Sequence, residues 1–295
     1  MNRLRKTGIT ALLLVDLHST ALMQKFLQMQ NADALEISVN FSGDEQRKIS
    51  ELKSRLLKEN LSYETIDSIL ENENLELHRG IVKSFGKNPE KDFSVGKINY
   101  AEYRKKIGLD AKIRDAPAFS NRYKNELDDA ERIYGIDQKY IIAILGIESS
   151  FGESKTISAY KAINSLVTQY ILTKRQDFAY EQIKELIIYS QRTGIPIFAF
   201  DSSYAGAIGI AQFIPSSLNR AFVGKNGNVN KANPMDMVDC IYSVANYLRM
   251  AGWDTAENGK TPVKGSKNWQ AIYKYNNSEA YVQAVIELAN SLNQR

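Results

Sequence analysis

The 295-residue sequence has few of the side chains that build disulfides, metal centres or nucleophilic triads. Cys240 is the single cysteine, so no disulfide can form within the chain. The two histidines, His18 and His78, share no spacing with other ligand types, which argues against a histidine-based metal site and a Ser-His-Asp triad. The net charge of +4 comes from Lys and Arg spread along the chain, so nucleic acid is not indicated as a partner.

Long apolar runs are also missing, and no stretch of the sequence is long enough to predict a membrane span. Residues 1–24 come nearest to a targeting segment, because three basic residues precede an apolar run at 9–15, as in a short secretory signal. Asp16 interrupts that run, and a plain surface helix is the alternative. We therefore expect export, directed by a weak signal.

Helical periodicity dominates the rest of the chain. Residues 42–98 are predicted as a helical N-terminal region, which Ser42 opens with a capping-box pattern. Residues 99–295 are predicted as a second, larger domain. Its predicted helices cover 100–107, 119–134, 138–152, 159–172, 177–192, 236–251 and 278–292. Few segments alternate apolar and polar residues as strands do, so the predicted fold class is mainly α.

Residues 138–152 form an apolar run with one acidic side chain, Glu148, near its end. Asp137 is suited to cap the start of this helix, and Gly152 to adopt the left-handed conformation that ends it. In the last turn the helix dipole disfavours a carboxylate, and the apolar neighbours add a desolvation cost. Both effects raise the pKa of the carboxyl group, as a general acid at neutral pH requires. The alternative is a glutamate that points into solvent where the helix frays.

Two later segments place polar side chains in unusual settings. Residues 197–217 are mostly small, with Gln212 as a lone amide, which is typical of close approach to a ligand or of a tightly packed turn. Residues 273–281 hold three tyrosines and Asn276. Rings stack on sugar faces and amides bond sugar hydroxyls, so an acid with such neighbours suits glycoside cleavage. That chemistry normally needs two carboxyl groups, yet Asp201 and Glu153, the nearest along the chain, are expected at the surface.

Four motifs occur in a fixed order along the chain. They are Ile-Glu-Ser-Ser-Phe-Gly at 147–152, Ser-Tyr-Ala-Gly-Ala-Ile-Gly at 203–209 with Gln-Phe-Ile-Pro-Ser-Ser at 212–217, Ser-Val-Ala-Asn-Tyr at 243–247, and Tyr-Asn at 275–276 with Tyr281. In sequence, order and spacing they resemble the lytic transglycosylases of the membrane-bound lytic transglycosylase B type. The resemblance extends over roughly residues 45–292.

The resemblance implies a lysozyme-like catalytic core with additional flanking helices, and makes 99–295 the catalytic domain. It implies cleavage, without cofactor or metal, of the β-1,4 bond between N-acetylmuramic acid (MurNAc) and N-acetylglucosamine (GlcNAc) in the glycan strands of peptidoglycan. Glu148 would act first as the general acid and then as the base, which leaves a 1,6-anhydroMurNAc end. A monomer in the periplasm or cell envelope, with a complex of cell-wall enzymes as a candidate partner, is the corresponding expectation.

Further site residues follow position by position from the same resemblance. Ser203 matches a serine at the acetamido group, Gln212 and Phe213 match the GlcNAc side, Tyr247, Tyr275, Asn276 and Tyr281 match the cleft wall, and Tyr103 matches a cleft tyrosine ahead of the acid. For each aromatic residue taken singly, packing in the core is the alternative.

The chain departs from the family pattern in three places. Relatives can carry a calcium-type loop, and residues 222–233 keep its turn glycine, Gly227, but lack the carboxylates, so weak or absent metal binding is expected. The segment 253–272 is shorter than in some relatives, and Ser150 stands where the family often has Arg. Two other functions stay open, namely a lysozyme-type hydrolase in which water attacks, and a glycan-binding scaffold without activity.

Overall fold

The computed structural model describes residues 41–85 and 99–294 of the chain. The predicted signal at 1–24 lies outside these residues, as do residues 86–98 of the predicted N-terminal region. Within the described ranges, no helix combines the length and the apolar composition that crossing a bilayer requires.

The chain divides into two compact units after Leu75, earlier than the predicted domain boundary at residue 98. The first unit contains helices α1 (Gly43–Leu56) and α2 (Tyr63–Leu70). Ser42 caps α1 in the predicted capping box, because its side chain accepts from the backbone of Glu45 and the Glu45 side chain accepts from Ser42 N at 2.8 Å. Leucines and isoleucines on the facing sides of the two helices are buried and form the core of this unit.

The second unit, from Glu76 onward, begins with a 3₁₀-helix at Arg79–Phe85. Its α-helices are α3 (Tyr100–Lys106), α4 (Leu109–Arg122), α5 (Lys124–Tyr134), α6 (Gln138–Ser149), α7 (Ala162–Leu172), α8 (Gln176–Thr193), α9 (Pro215–Ala221), α10 (Met237–Met250), α11 (Lys267–Tyr275) and α12 (Glu279–Ser291). Short 3₁₀-helices occur at Lys155–Ser158, Ile197–Ala199, Thr255–Glu257 and Leu292–Gln294. Strands β1 (Tyr160–Lys161) and β2 (Asp201–Ser202) form an antiparallel pair.

The prediction of a mainly α chain is confirmed, but the helix predicted over 119–134 is wrong in its bounds. Tyr123 ends α4 and begins α5, so the chain turns within the predicted helix. Helices α4 and α11 were not predicted. In α4, four of fourteen residues are buried and charged side chains separate them, which hides the apolar face in the sequence.

Helix α6 lies at the centre of the second unit. Nine of its twelve residues are buried, as expected for a helix that is apolar on every side. It packs against α4, α5, α10 and α12. Because neighbours surround this helix, a side chain at its C-terminal end has a fixed position relative to all of them.

Candidate active site

The helix that carries Glu148 begins as predicted and ends differently. Asp137 caps it by accepting from Lys139 N at 3.3 Å. The helix ends at Ser149, and Ser150 adopts the left-handed conformation with φ of 52°, so the cap is not Gly152 as predicted. Gly152 is the third residue in a row with positive φ. The Ser149 hydroxyl stabilises this turn, because it accepts from Gly152 N at 2.9 Å and donates to Leu145 O at 3.1 Å.

Glycine at position 146 allows this turn to fold back onto the helix. A Cβ at Gly146 would lie 2.7 Å from Cζ of Phe151, which is closer than carbon atoms approach one another. The Phe151 ring in turn stacks on Phe119 of α4, with 4.8 Å between ring centroids. The last turn of α6, and the acid on it, is therefore held by packing as well as by hydrogen bonds.

Glu148 is partly buried and faces a cleft, with its carboxyl group in a desolvated setting. Burial raises the pKa of Glu148 to about 7, although the hydrogen bond from Tyr281 and the charge of Lys112 act in the opposite direction. Tyr281 Oη donates to Glu148 Oε1 at 2.7 Å. The direction of the shift agrees with the sequence prediction, and it keeps much of the carboxyl group protonated at neutral pH.

Tyrosines from three different helices or their ends surround the acid. Tyr281 belongs to α12 and is 1% exposed, and its ring is parallel to that of Tyr275 at a centroid distance of 6.4 Å. Tyr275 ends α11 and donates to Ala211 O at 2.6 Å. Burial, and next the nearby Glu148, raise the pKa of Tyr103 on α3 to about 12. All three rings therefore stay neutral over the pH range in which Glu148 titrates.

The position of Tyr103 depends on an anchor at the base of α3. Arg104 donates through Nε to Glu287 Oε1 at 2.9 Å and through its other nitrogens to Asp110. Tyr100 donates to the other oxygen of Glu287 at 2.5 Å. These bonds attach α3 to α12, so that Tyr103 is held beside Glu148.

The cleft has a volume of about 770 Å³ and joins several of the predicted site residues. Glu148, Ser203, Gln212, Tyr275 and Asn276 line it. The amide nitrogen of Gln212 donates to backbone carbonyls, among them Gly209 O at 2.8 Å, which holds the side chain against its own turn. Gln212 itself has a positive φ of 51°, which turns the chain tightly at this point. The small residues of this segment thus form a compact turn that is also the wall of the cleft.

Sequence reasoning missed the other end of the cleft. Phe85, Phe178, Arg175 and Tyr204 line it there. The guanidinium of Arg175 lies over the Phe178 ring at 4.1 Å and donates to Gln169 Oε1 at 3.1 Å. Phe85 belongs to the predicted N-terminal region and Arg175 lies between the helices predicted at 159–172 and 177–192, and no motif marks either position.

Four predicted cleft residues are not among those that line the cleft, which corrects their predicted place: Tyr281 and Tyr103 lie beside the acid, and Phe213 and Tyr247 lie further back. Phe213 is 2% exposed and Tyr247 is 7% exposed, and their ring centroids are 5.6 Å apart. Both rings pack behind Tyr275, at 5.5 and 4.7 Å respectively. Phe213 and Tyr247 are therefore packed in the core, which was the alternative for each aromatic residue. They support the wall of the cleft from behind.

Glu148 is the carboxyl group among the described residues that line the cleft. Asp201 pairs with Lys161 at 2.7 Å in the short strand pair, and both side chains are more than two-fifths exposed. Glu153 is exposed. The surface positions predicted for these two carboxylates are thus observed.

Side-chain oxygens of Asp239 and Asn228 hold the loop at 222–233 together. The two oxygens of Asp239 accept from Lys225 N at 3.2 Å and from Asn233 N at 2.8 Å. Asn228 Oδ1 accepts from the backbone of Asn230 and Lys231. In the part of the chain that the structure describes, no three acidic, histidine or cysteine side chains meet as a metal site would need. This donor set does not fit a calcium ion.

Comparison with known proteins agrees with this geometry. The model of the transglycosylase SLT domain matches residues 44–268. Membrane-bound lytic murein transglycosylase B of Escherichia coli (strain K12) is 27% identical over 170 residues, which are 55% of this chain. The chain matches less than half of that relative, namely 46% of its length.

Solved structures of lytic transglycosylases have the same fold. SltB3 from Pseudomonas aeruginosa, in complex with NAG-NAM-pentapeptide, matches with a TM-score of 0.71 and 20% identity, over 86% of this chain and 81% of its own. Soluble lytic transglycosylase SltB1 from Pseudomonas aeruginosa matches with a TM-score of 0.70 and 23% identity, over 83% of this chain and 98% of its own. The predicted lysozyme-like core with flanking helices is confirmed. Because the SLT model matches residues 44–268, which are most of the chain, the chain belongs to the transglycosylase SLT domain family.

Proposed function

We propose that this protein is a peptidoglycan lytic transglycosylase that cleaves the β-1,4 bond between MurNAc and GlcNAc and leaves a 1,6-anhydroMurNAc end. The observation that carries the proposal is Glu148, a carboxyl group with a pKa near 7 that faces a large cleft with no second carboxyl group among its described lining residues. Hydrolysis by a pair of carboxylates needs a second acid within about 5 to 10 Å of the first. A single acid favours a nucleophile that the substrate itself brings.

The reaction uses one proton and returns it. Protonated Glu148 gives its proton to the glycosidic oxygen as the bond from C1 to that oxygen breaks. The carboxylate then takes the proton of the C6 hydroxyl of the same MurNAc, while that oxygen forms a bond to C1. Glu148 is protonated again at the end, and no water is consumed.

The surroundings of Glu148 suit both of its forms. Tyr281 donates to Oε1, which stabilises the carboxylate between the two steps. Burial favours the protonated form that the first step needs. Because burial and the hydrogen bond act in opposite directions, the pKa of Glu148 lies near neutral pH, which suits an acid that must later act as a base.

Ser203, Gln212 and Asn276 add polar side chains to the wall and suit the hydroxyl and acetamido groups of the two sugars. Tyr275 adds an aromatic ring to the same wall, and its hydroxyl donates to Ala211 O. The Pseudomonas aeruginosa relative SltB3 was solved with NAG-NAM-pentapeptide, a peptidoglycan fragment, which supports glycan strands as the partner here. We further propose that the protein acts as a monomer in the periplasm or cell envelope, beside other cell-wall enzymes.

Mass spectrometry of the soluble products released from purified sacculi tests the proposed function. We expect anhydromuropeptides, which are lighter by one water than the products of hydrolysis. Glu148→Gln should abolish release, because an amide cannot give or take the proton, and the variant should still bind sacculi. Glu153→Gln is the matched control, since it changes an exposed carboxylate five positions further on and should leave release unchanged.

The alternatives have distinct results in the same experiment. Reducing muropeptides would identify a lysozyme-type hydrolase, in which water reaches C1. Binding to sacculi without release of any product by the unmodified protein would identify a glycan-binding scaffold. Substantial turnover by Glu148→Gln would remove Glu148 from the reaction.

A further inference from the structure

Lys112 is a buried lysine that reaches the end of the helix carrying the proposed acid. It lies on α4, and 7% of its surface is exposed. Its Nζ donates to Gly146 O at 2.7 Å and to Ser150 Oγ at 2.5 Å. Both of these partners are neutral atoms. A buried ammonium group without a direct counter-ion is costly, so its retention needs an explanation.

The end of α6 supplies part of that explanation. The carbonyl groups in the last turn of a helix form the negative end of its dipole, which attracts a positive charge. Gly146 O accepts from Ser150 N at 2.9 Å and also from Lys112, so the ammonium group binds the turn that places Glu148. A neutral donor would satisfy the carbonyl equally well, which leaves the charge itself to be explained.

The charge of Lys112 acts on Glu148. The groups that face the acid are Tyr281 from α12, Tyr275 from α11, Tyr103 from α3 and Lys112 from α4. The three tyrosines are neutral, so Lys112 is the charged group among them, and within the described chain α5 and α10 bring no other charge to the acid. Around Lys112 the facing acids are Glu148 and Asp115. Burial lowers the pKa of Lys112, and the two acids oppose that effect.

We propose that Lys112 is a positioning residue for Glu148, which fixes the last turn of α6 and balances the negative charge that Glu148 carries between the two proton transfers. This role rests on the proposed function, because the carboxylate arises there when the glycosidic oxygen has been protonated. Lys112 keeps its own proton throughout and does not touch the sugar. It acts on the reaction through the acid alone.

Two variants separate the charge of Lys112 from its hydrogen bonds. Lys112→Gln keeps an N–H donor for Gly146 O but has no charge, and Lys112→Met removes both. Lys139→Met is the matched control, because Lys139 is also 7% exposed but lies at the opposite end of α6, where it pairs with Asp137 at 2.9 Å. All three changes remove one buried ammonium group from contact with the same helix.

The first readout is the titration of the Glu148 carboxyl carbon by NMR, which needs no activity. An opposite charge within about 4 to 6 Å shifts a carboxyl pKa by about 1 to 3 units, and Lys112 is the least of the three influences on Glu148, so both Lys112 variants should titrate about 0.5 to 1 unit higher than the unmodified protein. Lys139→Met should titrate as the unmodified protein does. The second readout is release of anhydromuropeptides, for which kcat should fall about tenfold in the Lys112 variants while KM stays unchanged, since Lys112 makes no contact with the sugar.

A titration of Glu148 that moves by less than about 0.3 unit in a folded Lys112 variant would overturn the proposal, as would an equal shift in Lys139→Met. Failure of both Lys112 variants to fold would assign Lys112 to stability alone and would also overturn it. If the titration shifts as expected but the unmodified protein releases no anhydromuropeptides, the charge coupling stands and the proposed function fails. The two ideas are thereby tested separately.

Discussion

Removal of the Tyr281 hydroxyl tests how the pKa of Glu148 is set. Tyr281→Phe keeps the ring, which is 1% exposed and parallel to Tyr275, and deletes the 2.7 Å hydrogen bond to Glu148 Oε1. That bond favours the carboxylate form, so its loss favours the protonated form and raises the pKa of Glu148 above about 7.

The size of the effect follows from the kind of bond. A hydrogen bond to a charged group contributes about 1.5 to 3 kcal/mol. One pKa unit corresponds to about 1.4 kcal/mol, so the pKa of Glu148 should rise by about 1 to 2 units. Since the first step needs the protonated acid, activity is lost as the pH rises through this pKa. The alkaline limb of the pH profile should therefore move to higher pH by the same 1 to 2 units.

The assay is the initial rate of anhydromuropeptide release at low substrate, measured across pH, because this rate reports the free enzyme. Tyr242→Phe is the matched control, since Tyr242 also donates to a carboxylate, Asp129, at 2.5 Å, but on helices α10 and α5 away from the cleft. It should leave the alkaline limb in place. An unmoved limb in Tyr281→Phe, or a limb that moves to lower pH, would refute the assignment of this hydrogen bond as a control on the acid.

Two further predictions concern the segments around the cleft. Gly209→Ala should lower the free energy of unfolding by about 2 to 5 kcal/mol in urea denaturation, because φ is +74° and the new Cβ would lie 2.3 Å from Pro234 O. Gly259→Ala, where φ is +78° and the space is open, should cost only about 1 to 2 kcal/mol, and equal losses in the two variants would contradict the steric argument. About 1 mM calcium should leave Tm unchanged relative to EDTA, because the oxygens of Asp239 are already bonded to the loop backbone. A rise of several degrees would show that the loop binds the ion, since a ligand at 100 times its Kd adds about 2.7 kcal/mol.

The sequence was most informative about features that depend on residues close to one another along the chain. The cap at Asp137, the apolar run of α6 and the position of Glu148 in its last turn depend on residues within one helix, so periodicity and capping rules identify them. The end of the helix was less predictable. Ser150 adopts a left-handed conformation because packing of Phe151 on Phe119 and the bonds of Ser149 stabilise it, and Phe119 lies far away along the chain.

The motifs also identified four aromatic side chains, but they could not show which of them lie beside the acid and which pack behind it. Tyr275 and Tyr281 lie at the acid and Phe213 and Tyr247 behind them, yet all four are aromatic residues in recognisable motifs. Which ring faces the cleft depends on how α10, α11 and α12 pack around α6. Ser203 and Gln212 both line the cleft, because small neighbours and a tight turn leave a side chain there few other positions.

The amino-acid sequence is enough to predict a mainly helical chain with one acid in an apolar setting, because these properties depend on composition, helical periodicity and neighbouring residues along the chain. Tertiary structure alone decided what surrounds that acid. Tyr281 lies 133 residues after Glu148 and Lys112 lies on a helix whose charged surface hid its buried face. The pKa of a carboxyl group depends on the charges, donors and burial around it in space, and the fold brings these together from elements that are distant in the sequence.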